Sequence, residues 1–226
     1  MAEDLSLIIG NKCYSSWSLR AWFFLKHSGL DFRERRIPLE TDQWRREILD
    51  YSPSGKVPVL MHGEIRVWDS MAICEYVSET FLAGGGWPPD PAARALARSV
   101  SAEMHSGFPH LRAQLPMNCR RRFPGYPIPG DAAMDIARVL EIWDLCLARY
   151  APQGPWLFGT FSIADAMFAP VALRFYGYDV KLSAGEEQYV RTVLDDEAVR
   201  DWIRAACRET ETIAAEEADH PHVAFV

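Results

Sequence analysis

Apolar positions follow two regimes along this chain. Up to about residue 82, short apolar runs alternate with amphipathic stretches, and beyond residue 91 the period is helical almost throughout. Leu5-Ser6-Leu7-Ile8-Ile9 predicts a strand. The helix after Ser15-Ser16 sets Trp17, Ala21, Trp22, Phe24, Leu25 and Ser28 on one stripe, with Arg20 and Lys26 turned to solvent and Gly29 as its stop. Residues 32–38 read as a second strand interrupted by Arg33, Glu34, Arg35 and Arg36, and residues 42–51 as a short surface helix. Residues 57–61 and 65–68 pair as a hairpin across His62-Gly63-Glu64. A helix over 70–81, with Met71, Cys74, Val77, Ser78 and Phe81 on one side, completes a βαβαββα order.

Residues 83–91 change character, with Gly84-Gly85-Gly86 followed by Trp87-Pro88-Pro89-Asp90-Pro91. No Lys-Ser/Thr follows the glycines and no strand leads into them, so they read as a linker and not as a phosphate loop. Helices are then predicted over 92–115 (bent near Gly107 to Pro109), 131–150, 162–176, 184–194 and 197–218, with a Pro- and Gly-rich loop at 117–130. The expected organisation is an α/β unit at 1–82, a linker at 83–91 and an all-helical unit at 92–226. Ser162 and Asp165 have the spacing of a capping box, in which hydroxyl and carboxylate satisfy orphan N–H groups at a helix start.

Composition narrows the function classes. At 226 residues and 49% hydrophobic, the chain is long enough for a real core, and no run approaches the roughly 18 apolar residues of a spanning helix. The acidic Met1-Ala2-Glu3-Asp4 lacks the basic and apolar regions of a signal peptide, which points to the cytoplasm. A net charge of -7 argues against a nucleic-acid partner, whose phosphates must be neutralised. The five cysteines, at 13, 74, 119, 146 and 207, have neither metal-site spacing nor the density of a disulfide scaffold, so no metal is expected.

The distinctive stretch is Ser52-Pro53-Ser54-Gly55-Lys56-Val57-Pro58-Val59-Leu60, followed by Asp69-Ser70. A proline inside a strand cannot donate to the ladder, so Pro58 implies a special backbone there, compatible with a cis Val57-Pro58 bond. Strand, hydroxyl- and thiol-bearing turn, helix and proline-bent strand together resemble the thioredoxin-like N-terminal domain of cytosolic glutathione transferases. Gly159-x-Phe161 before the Ser162/Asp165 box resembles that family's helical domain, so the likeness covers nearly the whole chain.

The resemblance implies glutathione as co-substrate. Its γ-glutamyl carboxylate suits the free N–H groups at the helix start with Ser70, and Asp69 suits the ammonium, although the family usually has Glu or Gln there. Val57, next to Pro58, would exchange backbone hydrogen bonds with the cysteinyl unit. Lys56 and Gln43 are candidates for the glycyl carboxylate. The sulfur needs a hydrogen-bond donor at the first turn of the first helix, and Cys13, Ser15 and Ser16 are the candidates, with Ser15 placed ahead of Ser16 and Tyr14 read as packing. Ser16-Trp17 and Arg20 match a zeta-class signature, which sets Ser15 under its cysteine. That alignment also puts Cys13 where omega-class enzymes keep theirs, whereas a beta-class alignment puts Ser15 there. Met104, His105 and Phe108 are candidates for the pocket of a small hydrophobic electrophile. The expected activity is glutathione transfer by a homodimer. Maleylacetoacetate-type isomerisation, thiol-disulfide reduction and a non-catalytic binding module on the same fold are the alternatives.

Overall fold

The computed structural model describes residues 5–226. Residues 1–4, and the expectation resting on them, lie outside the described residues. In β1 (Leu5–Ile9) successive side chains face opposite sides of the sheet. Leu5, Leu7 and Ile9 enter the large core, while Ile8 joins a smaller one with Ile37, Ile48 and Val59. The sheet order is β2–β1–β3–β4, with β2 (Arg33–Arg36) parallel to β1, β3 (Val59–His62) antiparallel to it, and β4 (Ile65–Trp68) antiparallel to β3. Helices α1 (Ser16–Ser28) and α3 (Ser70–Leu82) pack on the large-core face, and α2 (Trp44–Leu49) covers the other through Ile48. This is the expected thioredoxin-like arrangement.

The second half is helical: α4 (Pro91–Ser106), α5 (Pro109–Gln114), α6 (Gly130–Tyr150), α7 (Ile163–Gly177), α8 (Ala184–Asp195) and α9 (Glu197–Ala206). Central α7 is buried along nearly its whole length and touches α1, α4 and α8. Its start carries the predicted Asp165 box: Asp165 Oδ2 accepts from the Ser162 N–H (2.9 Å) and Oγ–H (3.0 Å), and Oδ1 accepts from the Leu157 N–H (3.0 Å). Between the halves, Gly86 donates to Ser78 Oγ (3.0 Å) and its carbonyl accepts from the Ile163 N–H (2.9 Å). A Cβ at this residue would lie 2.8 Å from the Phe24 ring, so close backbone approach accounts for this glycine.

Three expectations are corrected. The helix over 92–115 is two helices, because Phe108 takes a left-handed backbone (φ 62) and Pro109 has no N–H to carry the ladder on. The last helix stops at Ala206, and residues 207–222 run on as a strap that ends in β6 (Val223–Ala224), paired with β5 (Arg121–Arg122) inside the expected loop. Arg20 does not face solvent. It is 1% exposed, because α1 is enclosed by α3 and α7, and its Nε donates to the Met167 carbonyl (3.1 Å).

Candidate active site

Two cavities meet beside the N-terminus of α1. One, of about 310 Å³, lies between Ser15, Ser16 and Trp17 on one side and Arg112, Arg174, Ile213 and Glu216 on the other, with Leu39 and Trp44 closing an end. The other, of about 410 Å³, runs from Pro58 to Asp69 and Ser70. Trp17, Lys56 and Val57 line both, so the two form one groove along the boundary between the halves.

The turn before α1 is fixed through hydrogen bonds to its backbone groups. The Asn11 carbonyl accepts from the Tyr14 and Ser15 N–H groups (3.2 and 2.8 Å), and Asn11 Oδ1 accepts from the Leu39 N–H (2.8 Å). From the strap, the Glu209 carboxylate accepts from the Lys12 and Cys13 N–H groups (2.8 and 3.0 Å), and from α9 Trp202 Nε1 donates to the Lys12 carbonyl (2.8 Å). Within this frame the two serines differ. Ser15 is the N-cap: its Oγ accepts from the Ser18 N–H (3.3 Å) and donates its proton to Ser18 Oγ (2.7 Å). Ser16 Oγ makes no hydrogen bond among the described residues, and Ser16 lines the cavity.

Cys13 is fully buried, lines neither cavity, and donates its thiol to Asn118 Oδ1 (3.4 Å). Burial pushes the thiol up to about 11, against the lowering influence of Arg120. Tyr14 is engaged through its hydroxyl with Glu217 (2.5 Å) and with Arg120.

At the other end, Asp69 has a left-handed backbone (φ 76) and caps α3, its Oδ1 accepting from the Met71 and Ala72 N–H groups (2.9 and 3.4 Å). Its Oδ2 lies 3.1 Å from His105 Nε2. Burial raises this carboxyl, but the hydrogen bond and charge of His105 and the two N–H groups outweigh it and hold the group below its ordinary value. Ser70 is 1% exposed, and its Oγ is buried without a partner. The Val57-Pro58 bond is cis, and Val57 lies just outside the β3 ladder.

The groove thus gathers Ser15, Ser16, Lys56, Val57, Pro58, Asp69 and Ser70 from the residues expected at a site. Gln43 is exposed and lines neither cavity; its neighbour Trp44 does. Met104 and Phe108 belong to the packed core and line neither cavity, and His105 stands at the Asp69 end. Among the described residues no group of His, Cys, Asp and Glu is placed to hold a metal ion. Sequence reasoning missed Trp17 as a lining residue, and Arg112, Arg174 and the strap altogether. Arg174 left a signal, since it stands alone as a cation within the apolar run of α7.

The family model described as "Glutathione S-transferase, N-terminal domain" matches residues 14–80, and "Glutathione S-transferase, C-terminal domain" matches residues 100–205. The chain belongs to the glutathione S-transferase family. Within that family it is 41% identical over 66 residues to a dichloromethane dehalogenase of Methylorubrum extorquens, covering 28% of this chain and 23% of the relative. It is 30% identical over 96 residues to a probable maleylacetoacetate isomerase of Caenorhabditis elegans, covering 42% and 44%. The matched stretches thus span less than half the length of these two relatives. A crystal structure of a glutathione transferase homologue from Burkholderia GL BGR1, with bound glutathione, superposes with a TM-score of 0.70 at 25% identity, over 90% of this chain and 98% of that one. The transferase fold therefore spans both halves that form the groove.

Proposed function

We propose that this chain binds glutathione along the groove and promotes attack of its sulfur on a small electrophile, with Ser16 as the hydroxyl that stabilises the thiolate. The observation carrying this reading is the unpartnered Ser16 Oγ on the first turn of α1, where the positive end of the helix dipole favours an anion. Ser15 is the less suited serine because its proton already serves Ser18. Burial keeps Cys13 a neutral thiol, which weighs against the reductase alternative. The γ-glutamyl end would meet Ser70 and Asp69, and the cysteinyl backbone Val57. In the step itself the thiol proton passes to water, a sulfur electron pair forms the new bond to carbon, and the leaving group departs with its own pair. The reading carries with it a cytoplasmic homodimer, for which light scattering at micromolar concentration is the check.

The deciding experiment follows the ultraviolet absorbance of bound thiolate against pH in Ser16→Ala, Ser15→Ala and Cys13→Ala. Ser16→Ala should raise the pKa of the bound thiol by about a unit or more, with Cys13→Ala unchanged. A shift confined to Cys13→Ala would overturn the assignment, and absence of glutathione binding by calorimetry would overturn the function.

A further inference from the structure

Arg112 and Arg174 stand on the helical side of the smaller cavity, across from the serines, and neither makes an ion pair among the described residues. Arg120 and Arg121 nearby, by contrast, both pair with Glu217. Arg174 is buried and donates only to carbonyls, those of Leu115 (2.7 Å) and Pro170 (3.2 Å). Half-buried Arg112 donates to the carbonyls of Gly107 (2.9 Å), Met104 and His105 and stacks on Trp17, its Cζ 4.7 Å from the ring centroid. Arg20 stacks on the same indole at 4.5 Å, and its Nη1 is buried without any partner. Three guanidinium groups thus cluster at the boundary of a chain whose net charge is -7. Charges taken from water without a counter-charge are costly, and an anionic ligand is the natural compensation.

The acids nearby do not fill this role. Glu216 lines the same cavity but pairs with neither arginine; burial raises its pKa against the influence of Arg174. Asp135 favours the charge on Arg112 and Asp69 that on Arg20, but neither forms an ion pair with these arginines, Asp135 accepting from the Leu111 N–H (2.9 Å) and Asp69 facing His105, and Glu40 stands exposed at the rim. Of the other walls, Trp17, Trp44, Leu39 and Ile213 suit a flat apolar body, and Lys56 adds a further cation.

We infer that the electrophile carries a carboxylate, held by Arg112 and Arg174 while its apolar body lies against Trp17. This rests on the proposed glutathione-transfer reading and narrows its substrate class from a neutral hydrophobic electrophile to an anionic one. Planar guanidinium groups suit a carboxylate because they can donate two parallel N–H bonds.

The test compares 4-chloro-3,5-dinitrobenzoate with its methyl ester as acceptors. In each, the glutathione sulfur bonds to the ring carbon, chloride leaves with the C–Cl pair, and the thiol proton goes to solvent. After division by the uncatalysed rate constants, kcat/KM for the acid should exceed that for the ester by about tenfold or more, the scale of a charge-assisted hydrogen bond. Arg174→Met should bring that ratio toward one. Should that variant not fold, calorimetry on the wild-type protein with unreactive 3,5-dinitrobenzoate and its methyl ester, at saturating glutathione, should show the same preference. Equal normalised rates for acid and ester, in a protein that binds glutathione and turns over the ester, would overturn this inference alone. A weaker glutathione affinity in Arg174→Met with the acid preference intact would also overturn it, assigning the arginine to the glycyl carboxylate. Failure to bind glutathione at all would remove the transferase reading and this inference with it.

Discussion

His105, from α4, meets Asp69, the cap of α3, with Nε2 3.1 Å from Oδ2. One carboxylate therefore starts a helix of the α/β half, borders the groove and joins the two halves. The remaining ring nitrogen, Nδ1, is buried without a partner, and the imidazole meets Trp17 edge-on at 5.3 Å.

The charge on Asp69 should be visible in a pH series. Its folded carboxyl is held below the ordinary value, so its stabilising contribution is present above the unfolded pKa and is lost as pH falls through the depressed folded one. Asp69→Asn keeps an acceptor for the Met71 and Ala72 N–H groups while removing the charge. The melting-temperature gap between the wild type and this variant should be full above about pH 5, clear of the unfolded carboxyl, and should close as the pH falls through the depressed folded value. A gap independent of pH would mean that the charge contributes nothing.

Ser70→Ala separates binding from folding. The hydroxyl has no intramolecular partner, so its removal should leave the melting temperature of the free protein unchanged or slightly raised. Glutathione affinity should fall by about 1–3 kcal/mol, the cost of a lost hydrogen bond to a charged group. Isothermal calorimetry reads this directly, and unaltered affinity would remove Ser70 from the site.

Thiol labelling tests the account of Cys13. Burial holds that thiol at about 11, whereas Cys207 is exposed. At neutral pH a maleimide probe followed by peptide mass mapping should modify Cys207 first and leave Cys13 unmodified in the native protein. Rapid labelling of Cys13 would reopen the thiol-based reading.

Asp165→Ala should be among the more damaging single changes. It would leave the Leu157 and Ser162 N–H groups without acceptors in the interior, beneath the start of central α7. A loss of about 3 kcal/mol or more in chemical denaturation is expected, beyond the ~1 kcal/mol typical of an exposed cap. A loss under about 1 kcal/mol would show that water or a shifted backbone takes over those donors.

Much of this molecule is decided by short-range pattern. The apolar run Leu5 to Ile9, the Pro58 interruption, Asp69-Ser70 at a helix start and the Ser162/Asp165 spacing are each written in a few consecutive residues. They were legible from the chain alone and led to the family. Tertiary structure decided what depends on distant partners. The chain alone places Ser15 ahead of Ser16, and only the position of Ser18 Oγ, which takes the Ser15 proton, favours the opposite order. Arg20 reads as a surface residue until α7 closes over α1, and Arg174 gains its place only where α5 and the strap meet it at a cavity. The strap itself has no local signature, because Glu209 takes its meaning from two N–H groups nearly two hundred residues away. Helix periodicity records which face is covered, but it does not record which distant charge comes to rest beside it.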